Sequence, residues 1–374
     1  MVKRETYLNS VKRALARSSI CALLGPRQCG KTTLARGLAE AQASHYFDLE
    51  SPRDQLRLQN PEVALSALSG LIVLDEIQLR PELFSVLRVL ADRPQAKASF
   101  LILGSASPDV IQKSAESLAG RVEFIDLHGF HLAEVGVGNL AKLWTRGGFP
   151  RAYLAKSEAD SVAWREGFVR TFLERDLPQF GVRVPSQVMR RFWTMLAHSH
   201  GQLWNASELG RSMGLTDKTV RSYLEDLTQT YMIRQLQPWF ENIGKRQVKS
   251  PKVYLRDSGI LHHLLGIETQ ESLCSHPKVG ASWEGYAMEQ ILRRSERSEA
   301  YFWATQSGAE LDLLLFENGK RVGYEFKYSE KPKISRSMRI ALEDLQLDCL
   351  RIVCPGDVRV QLDERIEVVG LESI

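Results

Sequence analysis

The first residues able to do chemistry lie between Gly25 and Thr32, in the sequence GPRQCGKT. This run has the spacing G-x-x-x-x-G-K-S/T, follows the apolar stretch Ile20 to Leu24, and precedes a helical pattern. Gly25 and Gly30 allow backbone conformations that a side chain would forbid, so that backbone N–H groups can surround a phosphate. The sequence therefore predicts a loop that binds the phosphates of a nucleotide.

Two side chains of this loop have separate predicted roles. Lys31 supplies a positive charge to the β- and γ-phosphates, and Thr32 supplies a hydroxyl ligand for Mg²⁺. The helix that begins near Lys31 adds the positive end of its dipole. The expected cofactors are ATP and Mg²⁺. The predicted nucleotide-binding residues are Gly25, Gln28, Cys29, Gly30, Lys31, Thr32 and Thr33.

A second group of candidates follows the apolar run Leu71 to Leu74. Four consecutive apolar residues are typical of a strand buried on both faces of a parallel sheet. Asp75 and Glu76 come directly after this run, and ligands of open α/β sheets gather at the carboxyl ends of the strands. We predict that Asp75 holds Mg²⁺ through water and that Glu76 polarises the attacking water. The alternative is that these acidic residues only cap a helix.

Two further catalytic candidates lie near the next predicted strand, Phe100 to Leu103. Ser105 is placed either to stand between the γ-phosphate and the attacking water or to cap a helix that begins near Pro108. Arg121 follows that helix, at a position from which arginines of many oligomeric ATPases reach the γ-phosphate of a neighbouring subunit. The competing interpretation of Arg121 is a solvated or intrachain-paired side chain.

The composition is that of a soluble globular protein with two or three domains. The chain has 374 residues, of which 44% are hydrophobic and 25% are charged, and its net charge is +4. This mild charge does not by itself imply a nucleic-acid partner. The five cysteines form no C-x-x-C pair, which indicates neither a zinc site nor a disulfide framework. These scattered cysteines fit a reducing cytoplasm, where we expect the protein to be. No apolar run reaches the length of a membrane span, so we expect no membrane partner.

Short motifs continue from one end of the chain to the other. They are GPRQCGKTT (25–33), YFDLESP (46–52), LDEIQ (74–78), LGSA (103–106), SLAGRV (117–122), GGFP (147–150), FLERD (172–176), KSPKVYL (249–255), WE (283–284) and the segment 308–327. Together they resemble the prokaryotic AAA-type ATPases that carry a C-terminal domain of the DUF4143 class. The resemblance implies an AAA+ ATPase core, a small helical lid, a winged helix and a nuclease-like end.

Residues 185–256 show the pattern of a winged helix-turn-helix. Two predicted helices, Ala206 to Met213 and Asp217 to Thr230, precede two short strands around a basic loop, 244–249. Residues 183–256 contain 12 Lys and Arg against 5 Asp and Glu, an excess of seven. This excess favours phosphate contacts with DNA, and the alternative is a packing or oligomerisation module. The predicted DNA contacts are Lys218, Arg221, Lys245 and Arg246.

The last third of the chain contains another group of carboxylates. A hairpin is predicted around Asn318-Gly319, with Asp312 on its first strand and with Glu325 and Lys327 on one face of the second. Two carboxylates and an ammonium can hold Mg²⁺, activate water and neutralise a phosphodiester transition state. The pattern resembles the D…E-x-K signature of restriction-endonuclease-like nucleases, and Glu284 matches the acidic residue of the preceding helix. The alternative is a nuclease-like scaffold that no longer cleaves.

The predicted fold class is therefore α/β. It combines a P-loop AAA+ ATPase core with a parallel sheet (1–140), a helical lid (141–184), a winged helix (185–256) and a C-terminal PD-(D/E)xK nuclease-like domain (257–374). The predicted function is an ATPase that forms a homo-oligomer, such as a hexamer, and that binds or remodels duplex or branched DNA, with Mg²⁺-dependent nuclease activity as an additional hypothesis. The alternative is a nucleotide-switch ATPase of signalling or defence whose C-terminal domain binds a protein partner.

Overall fold

The computed structural model describes residues 2–93, 98–105, 118–294 and 299–374. Among the helices of these residues, none combines the length and the apolar character that crossing a membrane requires.

The chain divides into two compact units. The first comprises Met1–Gly129 together with Gln229–Tyr231, and the second comprises Phe130–Thr228 together with Met232–Ile374. This division is coarser than the four domains that the sequence predicts, and the boundaries of those four domains stay a prediction.

In the described part of the chain, the first unit contains a parallel sheet of five strands. All neighbouring strands run parallel, so the predicted parallel sheet is confirmed. β1 and the apolar run of β3 are buried on both faces, which explains why these strands are continuous apolar runs instead of alternating patterns. The strands, in the spatial order β2-β3-β4-β1-β5, are β1 (Ile20–Leu24), β2 (Ser44–Asp48), β3 (Gly70–Asp75), β4 (Ala98–Gly104) and β5 (Val122–Asp126).

Helices α1 and α2 of the first unit each bury one apolar stripe in the core around this sheet. Helix α1 buries Tyr7, Val11 and Ala14, which recur at spacings of four and three and share a core with the side chains of β1. The helices described are α1 (Glu5–Arg17), α2 (Lys31–Glu40), α3 (Pro52–Arg57), α4 (Pro61–Ser66) and α5 (Leu83–Ala91).

The second unit contains, within the described residues, a mixed sheet of nine strands. Its order is β13-β14-β12-β11-β10-β9-β7-β8-β6. β7 pairs antiparallel with β8 and parallel with β9, so strands predicted for the winged helix and for the C-terminal domain form one sheet. The strands are β6 (Gln202–Leu203), β7 (Ile233–Pro238), β8 (Lys252–Leu255), β9 (Ala300–Ala304), β10 (Glu310–Glu317), β11 (Lys320–Phe326), β12 (Cys349–Cys354), β13 (Arg359–Asp363) and β14 (Ile366–Gly370).

The hairpin between β10 and β11 turns at the predicted place. Asn318 and Gly319 have φ angles of 51° and 78°, and Glu317 pairs with Lys320 across the turn. Positive φ at both central residues is what a two-residue turn of type I′ requires, and Asn-Gly adopts it with little strain. The register of β10 against β11 follows from this turn.

Helices of the second unit supply most of the core in its first half, where Phe168, Phe172 and Trp193 pack together. Helix α13 buries Val220 and Leu224 along one stripe. The helices are α6 (Leu132–Val135), α7 (Leu140–Arg146), α8 (Pro150–Tyr153), α9 (Glu158–Thr171), α10 (Leu177–Gln179), α11 (Ser186–His198), α12 (Ala206–Met213), α13 (Asp217–Gln229), α14 (Ser258–Leu264), α15 (Gln270–Cys274), α16 (Val279–Arg294) and α17 (Arg336–Asp344), with a π-helical turn at Phe172–Asp176.

Candidate functional site

The loop between β1 and α2 has the backbone that phosphate binding requires. Gly25, Gln28 and Gly30 have φ angles of 153°, 63° and 105°. A Cβ at Gly25 would lie 1.9 Å from the carbonyl oxygen of Leu127, so a residue with a side chain does not fit there. Gly30 directly precedes α2, which places the N-terminus of that helix at the loop. The loop therefore fits an anionic phosphate group.

Lys31 is folded into this loop, and only 5% of the residue is exposed. Its ammonium donates to the carbonyl oxygens of Gly25 and Pro26, each at 2.8 Å. An ionised phosphate oxygen is a stronger acceptor than a neutral carbonyl, so a bound triphosphate can attract this ammonium away from the loop. The side chains of Gln28 and Thr33 are exposed beside it.

Arg4 fixes the backbone of the loop, a role that the sequence did not reveal. Its guanidinium donates to the carbonyl oxygens of Cys29 at 3.0 Å, His128 at 2.8 Å and Gly129 at 3.3 Å. The buried thiol of Cys29 donates to the carbonyl oxygen of Leu127 at 3.2 Å. Both contacts tie the phosphate loop to the segment that follows β5. Arg4 is therefore a positioning residue, and Cys29 packs rather than reacts.

Asp75 forms the centre of the candidate magnesium site at the end of β3. Its Oδ2 accepts hydrogen bonds from the hydroxyls of Thr32, at 2.8 Å, and Tyr46, and its Oδ1 accepts the N–H of Glu76 at 3.0 Å. Burial raises the pKa of Asp75, against the hydrogen bonds from Tyr46 and Thr32, which lower it. A hydroxyl that donates its proton keeps its lone pairs, so Thr32 and Asp75 together fit Mg²⁺, which prefers oxygen ligands.

Glu76 is held in an uncommon conformation next to this site. Its φ and ψ are 59° and 49°, a left-handed conformation that costs a residue with a side chain about 1–2 kcal/mol. Ser105 donates to its carboxylate at 3.0 Å, and Gln78 donates through its amide nitrogen. The amide oxygen of Gln78 accepts the N–H of Ser105 at 3.4 Å, which turns the amide nitrogen towards Glu76. Backbone strain of this kind concentrates at functional sites.

The parallel sheet brings five predicted catalytic and metal-binding groups to one edge. The loop follows β1, Asp75 and Glu76 stand at the end of β3, and Ser105 directly follows β4. Because β3, β4 and β1 are neighbours and run parallel, their carboxyl ends meet. The residues that meet there are Lys31, Thr32, Asp75, Glu76 and Ser105.

Arg121 is placed differently from these five residues. It forms a bidentate ion pair with Asp92, at 2.6 and 2.8 Å, in which both side chains are more than a third exposed. This is the intrachain pairing that the sequence left open as an alternative. Its contact with a neighbouring subunit stays a prediction. Residues 106–117, which include the helix predicted after Ser105 and parts of two motifs, lie outside the described residues.

A second cluster of charged groups lies in the second unit, where the predicted nuclease residues come together. Asp312 is on β10, Glu325 is near the end of β11, and Glu284 is on α16. The ammonium of Lys327 lies 3.0 Å from Glu325. One oxygen of Asp312 accepts the N–H of Phe326 at 3.0 Å. Burial, and next the charge of Asp312, raise the pKa of Glu325 well above its usual range.

Lys252 on β8 lies in the middle of this cluster, although the sequence did not single it out. Its Nζ is 3.3 Å from Glu284 and 3.7 Å from Asp312, and it forms an ion pair with Glu310. Only 5% of Lys252 is exposed. The hydroxyl of Tyr254 donates to Glu284 at 2.6 Å. We call these residues, with Glu325 and Lys327, the carboxylate cluster.

Burial and neighbouring charges both shift the pKa values of this cluster. Burial, and next the charge of Asp312, raise the pKa of Glu284 to about 7. Burial lowers the pKa of Lys252, but Tyr254 and then the carboxylates outweigh burial and hold that pKa well above its usual value. Lys252 therefore stays charged at neutral pH. Across residues 2–93, 98–105, 118–294 and 299–374, no group of three or more His, Cys, Asp and Glu side chains is arranged to hold a metal ion.

The four side chains predicted to contact DNA are exposed. Lys218 and Arg221 lie on α13, and Lys245 and Arg246 lie in the loop between β7 and β8. Lys245 pairs with Asp344 at 2.6 Å, so its charge already has a carboxylate partner within the chain. Their contact with DNA stays a prediction.

The sequence did not predict several residues of both sites, although it predicted site residues or motifs next to them. Tyr46, Gln78 and Lys252 lie inside the motifs YFDLESP, LDEIQ and KSPKVYL. Their position in these motifs was the available signal, but their types alone did not indicate a role. Arg4 had no such signal, because it lies outside every motif.

Three family models match successive parts of the chain. Residues 17–136 match an AAA domain, residues 137–271 match a domain of unknown function (DUF8612), and residues 279–374 match a domain of unknown function (DUF4143). Two relatives are "Uncharacterized protein Mb2031c" of Mycobacterium bovis and "Uncharacterized protein Rv2008c" of Mycobacterium tuberculosis. Each is 50% identical over 374 residues, which is all of this chain and 85% of the relative.

One solved structure with a similar fold is the Walker-type ATPase paby2304 of Pyrococcus abyssi. The TM-score is 0.50 at 14% sequence identity, and the match covers 71% of this chain and 96% of that one. Identity this low shows a common fold alone. With the phosphate loop, the parallel sheet and the matched AAA and DUF4143 domains in place, the chain belongs to the AAA-type ATP-binding proteins that carry a C-terminal DUF4143 domain.

Proposed function

We propose that this protein hydrolyses ATP at the carboxyl edge of the first sheet, with Mg²⁺ held by Thr32 and Asp75. The observation that carries this proposal is the meeting of the phosphate loop, Asp75 and Glu76 at that edge. Mg²⁺, when bound, neutralises phosphate charge. Lys31 adds a fixed positive charge to the same phosphates.

The residues around Glu76 prepare a water molecule for attack. Glu76 polarises the water by accepting its proton in a hydrogen bond, and Ser105 and Gln78 fix the direction of the carboxylate. Because Ser105 directly follows β4 and Gln78 lies in the 3-10 turn Ile77–Leu79 directly after Glu76, the carboxylate is oriented before the nucleotide binds. This preorganisation lowers the barrier without a rearrangement at the moment of reaction.

Tyr46→Phe is expected to raise the Mg²⁺ concentration required for half-maximal ATP hydrolysis by about tenfold. The variant removes one of the two hydroxyls that orient Oδ2 of Asp75. Steady-state turnover measured against Mg²⁺ at saturating ATP tests this. Tyr301→Phe is the matched control, since it also removes a hydroxyl bonded to a carboxylate, that of Glu299. An unchanged Mg²⁺ dependence of Tyr46→Phe contradicts a positioning role for Tyr46.

We further propose that ATP hydrolysis is coupled to DNA, which binds along α13 and the loop 244–249. The support is local: these segments present exposed Lys and Arg side chains in a stretch with an excess of positive charge. Lys245 would exchange Asp344 for a phosphate. Lys245 itself is exposed, so a phosphate can reach its ammonium from the solvent.

The same reasoning applies to assembly into a homo-oligomer. Arg121 would leave Asp92 and reach the γ-phosphate bound by a neighbouring subunit, where its planar guanidinium matches a phosphate. The ion pair it would leave is exposed, so exchanging it is inexpensive.

The test of the DNA proposal is ATP turnover across a panel of single-stranded, duplex and branched DNA. We expect DNA to stimulate ATP turnover. We also expect the affinity of the protein for DNA to fall steeply as the salt concentration rises. Lys218→Ala combined with Arg221→Ala is expected to weaken DNA binding and to reduce the salt slope by about two, with basal turnover unchanged. Exposed charges in the first unit, Lys12→Ala with Arg13→Ala, provide the control. This part of the proposal is refuted if DNA leaves ATP turnover unchanged and the protein leaves the electrophoretic mobility of DNA unchanged.

A nucleotide switch that binds a protein partner is the second candidate function. One observation favours it: β7 pairs with β9, so the predicted wing is built into a larger sheet, as expected for a packing module. Under this alternative, ATP changes the assembly state measured by sedimentation, whereas DNA has no effect on turnover.

A further inference from the structure

We propose that the ammonium of Lys252 is the resident cation of the carboxylate cluster, occupying the place that a divalent metal takes in active nuclease-like sites. The cluster is then an internal ion network that stabilises the second sheet, not a centre for cleaving DNA. The inference is independent of ATP hydrolysis in the first unit.

The contacts of Lys252 match the needs of an ammonium group. An ammonium has three N–H donors and no acceptor. Three carboxylates, those of Glu284, Glu310 and Asp312, lie within 4 Å of its Nζ. The nitrogen also lies 5.6 Å from the ring centroid of Phe302, on whose face a cation is attracted. Lys252 therefore donates to Glu284 and Glu310 and has the charge of Asp312 close by, all inside the protein.

The carboxylates also have partners other than Lys252. Asp312 turns one oxygen to Lys252 and accepts the N–H of Phe326 with the other. Glu284 accepts from Tyr254, and Glu325 is paired with Lys327. Mg²⁺ demands nearly octahedral oxygen ligands at about 2.0–2.1 Å. A divalent ion among these groups would have to displace an ammonium that is buried and charged, and the two cations would repel each other.

The burial of Lys252 also argues against a role in substrate binding. A lysine that binds a scissile phosphate must present its ammonium at an open surface, whereas Lys252 is 5% exposed. Its backbone lies inside the sheet, paired with Leu203 on one side and Leu236 on the other. The side chain therefore joins β8 to β10 and α16 through charge. Removing one member of such a buried network strongly destabilises it, because the remaining charges lose their compensation.

Counting bound Mn²⁺ in the full-length protein tests the proposal. Asp75→Asn serves as the background in every sample, since it removes a carboxylate of the first-unit metal site. Free Mn²⁺ is measured by electron paramagnetic resonance. Adding Lys252→Met is expected to create one additional Mn²⁺ site per chain, and adding Asp312→Asn as well is expected to remove it. Lys252→Arg, which keeps the charge, and Lys249→Met, an exposed lysine of the same segment, are expected to create none.

Two outcomes overturn the proposal. One is a folded Asp75→Asn, Lys252→Met protein that binds no additional Mn²⁺. The other is an Mn²⁺ ion bound by the Asp75→Asn protein and lost when Asp312→Asn is added. The second comparison keeps Lys252 and so remains decisive if Lys252→Met does not fold. As a parallel readout, labelled duplex, single-stranded and branched DNA are incubated with the protein and Mn²⁺, and we expect the DNA to stay intact. Cleavage of the DNA that Asp312→Ala abolishes also refutes the proposal.

Discussion

Replacing Lys31 with methionine is expected to lower ATP turnover by about 100- to 1,000-fold. Methionine keeps the length and much of the volume of the side chain, so the change isolates the ammonium. That ammonium is buried in the loop and held by the carbonyl oxygens of Gly25 and Pro26, within the ring of backbone that receives the phosphates. Because we propose that Lys31 contacts phosphate before and during transfer, nucleotide affinity is expected to fall as well as kcat.

The experiment combines steady-state ATP hydrolysis with calorimetric titration of an ATP analogue that is not hydrolysed. Lys12→Met, which changes an exposed lysine of α1, is the control and is expected to leave both measurements unchanged. Thermal unfolding of Lys31→Met shows whether the loop still folds. A folded Lys31→Met protein with more than about a tenth of the original turnover contradicts the proposed ATPase site.

Glu76→Gln, unlike Lys31→Met, is expected to slow the chemical step while leaving ATP binding nearly unchanged. Turnover is expected to fall by about 100- to 1,000-fold, the contribution of a general base, while ATP affinity stays within about threefold. The amide keeps the shape of the side chain and an oxygen that accepts from Gln78, but it loses the negative charge that polarises water. The left-handed backbone at residue 76 is unchanged by this substitution.

Rapid chemical quench measures the hydrolysis step for Glu76→Gln separately from product release. The matched control is Glu62→Gln, an exposed carboxylate on α4 that pairs with Arg93. Ser105→Ala is expected to have a smaller effect in the same direction, because Gln78 still orients the carboxylate. If Glu76→Gln hydrolyses ATP at nearly the original rate, another group activates the water.

The nucleotide site was predictable because its parts are local in sequence. The run from Gly25 to Thr32 requires particular residue types for its backbone, and the buried run Leu71 to Leu74 marks the strand that carries Asp75. Parallel strands then bring separate carboxyl ends together without further information. Tyr46 was not predictable as a partner of Asp75, since its role depends on the adjacency and register of β2 and β3.

The carboxylate cluster shows where prediction from sequence ends. Asp312, Glu325 and Lys327 share one hairpin, and the turn at Asn318-Gly319 fixes their register, so their meeting was expected. Lys252 reaches them from a strand that two other strands separate from β10. Its position depends on the long-range order β10-β9-β7-β8, and no local pattern encodes that order. The same order explains why the predicted winged helix and the predicted C-terminal domain are difficult to separate within the second unit.

The pairing of β7 with β9 also has a consequence for any attempt to dissect the chain. A fragment that ends at Arg256 would leave β7 with an unpaired edge beside Gln237 and Pro238, which otherwise meet Tyr301 and Phe302. Exposed edges of this kind recruit other chains and promote aggregation. During synthesis, more than sixty residues separate the end of β7 from the start of β9, so this edge of β7 stays unpaired until β9 has been made. We therefore expect a chain cut before the DUF4143 region to aggregate, because β7 then lacks the strand that covers its edge.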